Sequence, residues 1–384
     1  MGSADECRAR RGAGSGWAQT RDGRGADEYS ALAKVPGFGY ADGHSSRTAG
    51  REFAGEVRMG EGRVILAYKH TSVLLNEAVD YWFTDPDGVY VDATLGGAGH
   101  SALLLSRLSP RGKLFGLDQD PAAIRRGGEC LAQETRVTLL RTNFAALEDK
   151  LREAGALPVN GILFDLGVSS PQLDEGERGF SYMRDAQLDM RMDPGRELTA
   201  RDIVNSWSAD EICRVIRRFG EEKWAKRIAE FIAQARETHP LTTTGELVDV
   251  IKAAIPASAR REGPHPAKRT FQALRIAVND ELGVLERALD QALRCLVPGG
   301  HLVVITFHSL EDRLVKEKMR SWLGKCTCPP DLPVCVCGAA ASARLLNRKP
   351  VLPSATEIEN NPRSRSAKLR AAEKISESLN DTNS

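Results

Sequence analysis

A regular alternation of short apolar segments with helical ones restricts this chain to one class of fold. Four segments rich in aliphatic and β-branched residues predict strands, at residues 89–91, 113–118, 137–140 and 161–165. Segments with helical spacing of apolar residues lie before and between them, at residues 73–83, 101–108, 121–131 and 144–154. Strands and helices that alternate in this way form a parallel sheet with helices on both faces. The sequence therefore predicts an α/β fold.

The alternation stops after the fourth predicted strand. Residues 199–255 carry only amphipathic helical patterns, and residues 271–296 predict one long helix. An apolar strand at residues 301–307 then returns to the sheet. The prediction is a discontinuous α/β domain with an inserted all-helical domain, at residues 67–175 and 270–350 and at residues 176–269 respectively.

The two ends of the chain differ from this central part. Residues 1–66 combine many glycines with mixed charge and have no apolar periodicity, so we expect them to be disordered and dispensable, with Met59 as an alternative start. Residues 351–384 are polar and mixed in charge, with at most a short helix. We expect this C-terminal tail to dock weakly if at all.

Composition and the length of the apolar runs exclude a membrane-spanning protein and a protein with an overall basic charge. The 384 residues are 41% hydrophobic and 27% charged, which is ordinary for a globular chain of about two domains. The 53 Lys and Arg against 52 Asp and Glu leave a net charge of +1, so only a local basic patch can meet a nucleic acid. No apolar run approaches the roughly 20 residues of a membrane span, and no apolar signal segment is present at the N-terminus. We therefore expect a cytoplasmic protein without a membrane partner.

Residues 92–100 join a strand to a helix through a glycine-rich turn, the setting in which backbone N–H groups approach a ligand closely. The dinucleotide pattern GxGxxG is not met, because Ala98 and Ser101 occupy two of its positions. Asp118 ends the second strand, where a carboxylate can bind a ribose diol. These features favour an adenosine-containing cofactor, and turn glycines beside a solvated aspartate remain the alternative.

Six longer sequence words identify a known family. They are DLGVSSPQLD at 165–174, RGFS at 178–181, LDMRMD at 188–193, FQALRI at 271–276, FHSLEDR at 307–313 and NPRSRSAKLR at 361–370. In this order they resemble the ribosomal RNA small subunit methyltransferase H family, also called MraW, over about residues 70–374. The resemblance implies a class I S-adenosylmethionine-dependent methyltransferase fold that is Rossmann-like. It also implies methylation of N4 of a cytosine in 16S rRNA.

The resemblance further implies the positions of the cofactor site. On matching positions, these are Ala98, Gly99, His100, Asp118, Phe144, Asp165 and Gln172. The family more often has glycine at position 98, and alanine there is a small departure unless a positive φ is required. An aromatic side chain at position 144 can form a wall for the adenine, and without the resemblance it would be interpreted as a core residue.

The N4 amine of cytosine, which the resemblance implies as the methyl acceptor, is a poor nucleophile. It therefore has to be placed close to the methyl group and needs hydrogen-bond acceptors for its hydrogens. Asp165 is the first candidate catalytic residue for orienting the amine, and His308 at the end of the last strand is the second. The alternatives are that Asp165 serves only the cofactor and that His308 is structural. Phe180 or Tyr182 can stack on a flipped base.

Basic residues concentrate in two places. The linker at residues 260–269 contains Arg260, Arg261, Lys268 and Arg269 and is the stronger candidate for contacting phosphates. The second place is a helical stretch at residues 214–227, which acidic residues interrupt and which is equally typical of a solvated helix face.

Four cysteines form two CxC pairs, Cys326 with Cys328 and Cys335 with Cys337. Four thiolates so placed can close a tetrahedral zinc site, although the spacing is tighter than in common zinc knuckles. Reduced thiols remain the alternative.

Two classes of function follow from the sequence. The first is a cytosine N4-methyltransferase that acts on 16S rRNA of the 30S subunit, with no DNA partner. The second is a non-catalytic RNA-binding or ribosome-assembly factor on a methyltransferase scaffold. A methyltransferase with a DNA or protein acceptor is a third possibility. The intact glycine turn, Asp118 and Asp165 favour an enzyme, because a pure binder needs no cofactor pocket.

Overall fold

The computed structural model describes residues 72–168, 178–261, 263–324, 328 and 340–376. Within these ranges, every helix is too short or too polar to cross a membrane. The predictions for residues 1–66 lie outside the described residues.

Seven strands form a single sheet. Their bounds are β1 Val89–Asp92, β2 Lys113–Asp118, β3 Val137–Arg141, β4 Val159–Asp165, β5 Leu296–Thr306, β6 Ala343–Leu345 and β7 Lys368–Lys374. The strand order is β3-β2-β1-β4-β5-β7-β6. Neighbouring strands from β3 to β5 are parallel, and β7 runs antiparallel to both β5 and β6. This confirms the predicted α/β class I methyltransferase fold.

Twelve α-helices lie within the described part of the chain. Their bounds are α1 Leu75–Trp82, α2 Gly99–Arg107, α3 Pro121–Cys130, α4 Leu147–Glu153, α5 Ala200–Ser206, α6 Ala209–Gly220, α7 Ala225–Thr238, α8 Thr244–Ala254, α9 Lys268–Asn279, α10 Glu281–Cys295, α11 Ser309–Ser321 and α12 Ala355–Asn360. Local chemistry sets several helix starts. Asp120 accepts the N–H of Ala122 and Pro121 occupies the first turn of α3, while Thr199, Ser208 and Thr243 form capping boxes at α5, α6 and α8.

The buried side chains form separate cores. Two clusters cover the two faces of the sheet, one around Phe164 and Leu289 and the other around Trp82 and Leu163. A third cluster belongs to helices α5 to α9 and includes Ile203 and Phe271. The helical segment thus has its own core, and that core continues past residue 269 into α9.

The prediction of a single long helix at residues 271–296 is wrong, because two helices cover this segment. Asp280 has a left-handed backbone with φ of 50°, and it separates α9 from α10. Aspartate tolerates this conformation better than most residues. The side chain of Asn279 accepts the N–H of Met192 and donates to the carbonyl oxygen of Met190, so contacts with a distant segment fix the break.

The expectation of a weakly docked C-terminal tail is also wrong. Residues 368–374 form β7, which pairs with β5 along six residues from His301 to Thr306. Leu369 and Ala371 are completely buried. The buried side chain of Arg370 donates from Nε to Asp312 of α11 at 2.7 Å. An apolar alternation of only two or three small residues marks this strand, and tertiary pairing stabilises it.

Candidate active site

A cleft of about 690 Å³ opens at the carboxyl ends of β1, β2 and β4. Its lining comes from two structural layers. The sheet contributes Gly96, Asp118 and Asp165, and the helical layer contributes Phe271 and Tyr182. Ligands of open parallel sheets bind at this edge.

The glycine turn forms one wall of the cleft. Gly96 has φ of +49°, and its N–H donates to Asp118 Oδ2 at 3.0 Å. A Cβ on Gly99 would lie 2.1 Å from Ser72 Oγ, so a larger residue at this position requires the Ser72 side chain to move. Ala98 has φ of 60° and is buried, so it shapes the turn rather than lining the cleft. The positive φ makes alanine at this position strained.

Asp118 lies at the end of β2 with both oxygens already held. Oδ1 accepts the N–H of Asp120 at 2.9 Å and Oδ2 accepts that of Gly96. Burial raises the pKa of Asp118 to about 6, and these two hydrogen bonds counteract the rise. Each carboxylate oxygen has a further lone pair, so the group can also accept two ribose hydroxyls from the cleft.

Phe144 lines the same cleft as Asp118. Asn143 Oδ1 accepts the N–H of Ala145 and starts the 3₁₀ turn that carries Phe144. Asn143 Nδ2 donates to Gln119 Oε1 at 2.7 Å. The Phe144 ring packs edge-on against Phe164, with 5.4 Å between centroids, and still lines the cleft. It can therefore form a rigid apolar wall.

Asp165 lines the cleft at the end of β4. Its backbone N–H donates to Thr94 Oγ1 at 2.6 Å, which fixes the end of β4. Its Oδ1 is buried and has no hydrogen-bond partner among the described residues. Burial, and then the charges of Asp92 and Glu311, raise the pKa of Asp165 well above its ordinary value. An orphaned buried oxygen that faces a cleft is typical of a group that meets a ligand.

His100 flanks Asp165. Its Nε2 lies 3.0 Å from the carbonyl oxygen of Val73, so Nε2 carries the proton. Its Nδ1 lies 3.7 Å from Asp165 Oδ2. The imidazole therefore lies between the start of α1 and the carboxylate at the end of β4, and it lines the cleft.

His308 has a different environment from the one expected of a proton acceptor. It caps α11, where its Nδ1 accepts the N–H of Glu311 at 3.3 Å. The neutral ring must then carry its proton on Nε2, which lies 3.0 Å from Glu311 Oε1 without hydrogen-bond geometry. Burial tends to raise the pKa of Glu311, but His308, Arg275 and the N–H of Phe307 lower it overall.

Glu281, His308 and Glu311 bring their ligand atoms within 4.8 Å of one another. This group already has a cation. Arg275 donates from Nε and Nη2 to the two oxygens of Glu281, each at 2.8 Å. Glu311 Oε2 accepts the N–H groups of Phe307 and His308. Both carboxylates thus already accept hydrogen bonds from protein donors. We interpret the cluster as a structural contact between α9, α10 and α11.

A buried ion pair fastens the helical layer over the cofactor end of the sheet. Arg178 Nη1 donates to Asp120 Oδ2 at 2.5 Å, and Asp120 is almost completely buried. Arg178 Nη2 also donates to the carbonyl oxygens of Arg191 and Met192. These contacts bring Met192 into the cleft lining close to Gln119, whose Nε2 donates to the Met192 sulfur at 3.3 Å.

Both candidate aromatic platforms line the cleft. Phe180 is 7% exposed, with the Arg178 guanidinium over its ring. Tyr182 stacks on His265, with 4.7 Å between ring centroids, and meets Phe271 edge-on. The stacked pair is already an aromatic layer at the cleft.

The basic linker separates into residues with different contacts. Lys268 lines the cleft. Arg269 Nη1 donates to the carbonyl oxygen of Glu221 at 2.8 Å and so joins α9 to the end of α6. Arg260 and Arg261 lie beyond the cleft lining.

Two predictions about site residues fall outside the described residues. Gln172 is one. The zinc prediction is the other, because Cys326, Cys335 and Cys337 are not described; it stays a prediction.

Sequence reasoning missed several residues of the cleft. They are Gln119, Asn143, Arg275, Glu281, Glu311, Asn361 and Arg363. Six of them follow a strand or fall within the words FQALRI, FHSLEDR and NPRSRSAKLR, which was the available signal. The folding of the C-terminal segment toward the cleft had no local signal.

Comparison with known proteins gives consistent results. The model of the MraW methylase family matches residues 67–375. The ribosomal RNA small subunit methyltransferase H of Symbiobacterium thermophilum is 60% identical over 311 residues, which cover 81% of this chain and 98% of that protein. The proteins of the same name from Paenibacillus sp. and Clostridioides difficile are 58% and 52% identical, over 80% and 81% of this chain and all of theirs. This chain therefore belongs to the MraW methylase family.

Proposed function

We propose that this protein transfers the methyl group of S-adenosylmethionine to N4 of a cytosine in 16S rRNA, at position 1402 in ribosomal numbering. The main observation behind this proposal is that Oδ1 of Asp165 is buried without a hydrogen-bond partner among the described residues. It lies in the same cleft as Asp118 and the glycine turn. The names of the curated relatives support small-subunit rRNA as the substrate.

The residues of the cleft suit this cofactor. Asp118 accepts the ribose hydroxyls, the turn at Gly96 and Gly99 approaches the cofactor backbone, and Phe144 walls the adenine. The buried carboxylates of Asp118 and Asp165 also favour a cationic ligand, because a bound positive charge stabilises their ionised forms. When bound, the cofactor supplies an electrophilic methyl group on a sulfonium.

Asp165 acts on the acceptor amine. Its Oδ1 accepts a hydrogen bond from the amine, which orients the nitrogen lone pair toward the methyl group. As the N–C bond forms, the bond between the methyl carbon and sulfur would break and leave a neutral thioether. Nitrogen then becomes positively charged, and the carboxylate stabilises that charge and accepts the proton. The raised pKa of Asp165 suits it to hold this proton.

We assign His308 a positioning role and no proton transfer. Its Nδ1 accepts a backbone N–H, so the neutral ring cannot take a proton without breaking the cap of α11. We therefore assign it to positioning the cleft wall beside Asp165. Phe180 and the stacked Tyr182 hold the flipped base.

A second function, RNA binding without catalysis, is favoured by no specific contact in the described residues. The two functions separate in one experiment. Purified protein is incubated with methyl-labelled S-adenosylmethionine and either small ribosomal subunits, free 16S rRNA or duplex DNA. We expect label in 16S rRNA of the subunits and none in DNA. Binding to subunits without label transfer would support the non-catalytic function instead.

A further inference from the structure

The C-terminal segment brings basic residues to the mouth of the cleft. Asn361 and Arg363 both line it, although they lie some 200 positions from the strand-end residues in sequence order. Arg363 and Arg365 are exposed on the 3₁₀ turn Pro362–Ser366, while Ser364 between them is completely buried. One turn therefore carries two exposed arginine residues, and Arg363 lines the cleft.

Several contacts hold this turn in place. Glu357 of α12 accepts the N–H of Leu74 through Oε1 at 2.8 Å, which attaches the segment to the start of α1. The Ser364 hydroxyl donates to the carbonyl oxygen of Asn361 at 2.8 Å. Directly after the turn, Ala367 is buried and β7 enters the sheet. Hydrogen bonds and buried neighbours thus hold the turn that carries the two arginines.

A second basic residue of the cleft comes from the other layer of the molecule. Lys268 begins α9, whose apolar face belongs to the helical core. Arg363 instead follows α12, attached to the sheet-side core that contains Leu74 and Ala367. Cations from both layers thus line the same cleft as the carboxylates of Asp165 and Glu311. Phosphates are attracted to the basic side chains of such a cleft and repelled by its carboxylates.

We propose that Arg363 and Arg365 form a phosphate-binding turn that holds the rRNA backbone on one side of the target nucleotide, with Lys268 on the other layer. This inference rests on the proposed function. A flipped nucleotide remains attached to the strand through phosphates on both sides, and arginine forks match phosphate oxygens in a bidentate manner.

The test uses the full chain and small ribosomal subunits that lack the modification. The double variant Arg363→Ala/Arg365→Ala should raise the KM for subunits about tenfold or more. It should also reduce the slope of log KM against log salt by roughly one to two units, because each lost phosphate contact removes about 0.7–0.9. The affinity for S-adenosylmethionine, measured by calorimetry, should not change.

Two control variants accompany this one. Arg348→Ala/Lys349→Ala removes two exposed charges from the same part of the chain, outside the cleft lining, and should leave KM and salt slope unchanged. Arg363→Lys/Arg365→Lys retains the charges and should retain most of the salt slope while losing bidentate contacts.

The outcomes are distinguishable. A wild-type protein that does not methylate subunits contradicts the proposed function itself. An active wild-type protein with the same salt slope in the Arg363→Ala/Arg365→Ala variant overturns the phosphate-binding turn. A change in cofactor affinity alone overturns it too, because the arginines would then serve the cofactor.

Discussion

Arg178 and Asp120 form a buried ion pair that connects the helical layer to the strand end beside Asp118. Asp120 also starts α3 by accepting the N–H of Ala122, so one carboxylate serves both a helix cap and an interlayer contact. The guanidinium in turn holds the carbonyl oxygens of Arg191 and Met192 over the cleft. The geometry of the cofactor end thus depends on a contact between layers.

Arg178→Ala should lower the free energy of unfolding by about 3 kcal/mol, because it removes the guanidinium from a carboxylate that is almost completely buried. Urea unfolding measures this change. Arg152→Ala is the matched control, because Arg152 pairs with Glu148 on an exposed helix surface and should change stability by less than about 1 kcal/mol. An Arg178 variant as stable as the control would show that the pair does not fasten the layers.

Cofactor affinity should fall as pH drops below about 6, the raised pKa of Asp118. The carboxylate accepts ribose hydroxyls only when ionised, so protonation should weaken binding by up to about tenfold per pH unit. Calorimetry with S-adenosylmethionine from about pH 5 to about pH 8 measures the effect. Asp118→Asn should bind at least about tenfold more weakly at the upper pH and vary less with pH. A flat profile for the wild-type protein would contradict the assignment.

Asp165→Asn should lower the rate of methyl transfer at least about a hundredfold, because the amide cannot accept the proton from the amine. Binding of the cofactor should change only a few-fold. Single-turnover transfer and calorimetry separate the two effects. Asp290→Asn is the control, because Asp290 is a carboxylate of α10 that accepts from Lys318 and lies outside the cleft lining. Equal losses of the methyl-transfer rate in both variants would show that Asp165 acts only through its charge and not on the amine.

Lys268→Ala should raise the KM for subunits by about five- to tenfold at low salt, because one phosphate contact is lost. Arg269→Ala should leave this KM unchanged, because its guanidinium is bonded to the carbonyl oxygen of Glu221. Steady-state kinetics at several salt concentrations compares them. A larger effect of Arg269 would place the RNA on the outer side of α9.

The sequence predicted the parallel half of the sheet well, because β1 to β4 are short apolar runs with glycine or polar residues at their ends. It also predicted Asp118, Phe144 and Asp165 at one edge, since the carboxyl ends of parallel strands meet there. Local pattern was insufficient for β7, whose alternating residues are mostly alanine, leucine and charged side chains. Pairing with β5 decides that strand.

Two site residues show the same limit. His308 follows a strand, which suggested chemistry, but its ring caps α11 through contacts that only the folded helix supplies. Ala98 occupies a turn position with φ of 60°, and the sequence alone did not show whether that position needed a positive φ. In both cases tertiary geometry determines what the side chain can do.

The most direct test of the central claim is nucleoside mass spectrometry of 16S rRNA. The RNA comes from a strain that lacks this gene and carries either the wild-type gene or the Asp165→Asn variant. The account predicts N4-methylated cytidine at position 1402 with the wild-type gene and its absence, or near absence, with the variant. Unmodified cytidine with the wild-type gene, or equal modification with both genes, would contradict it.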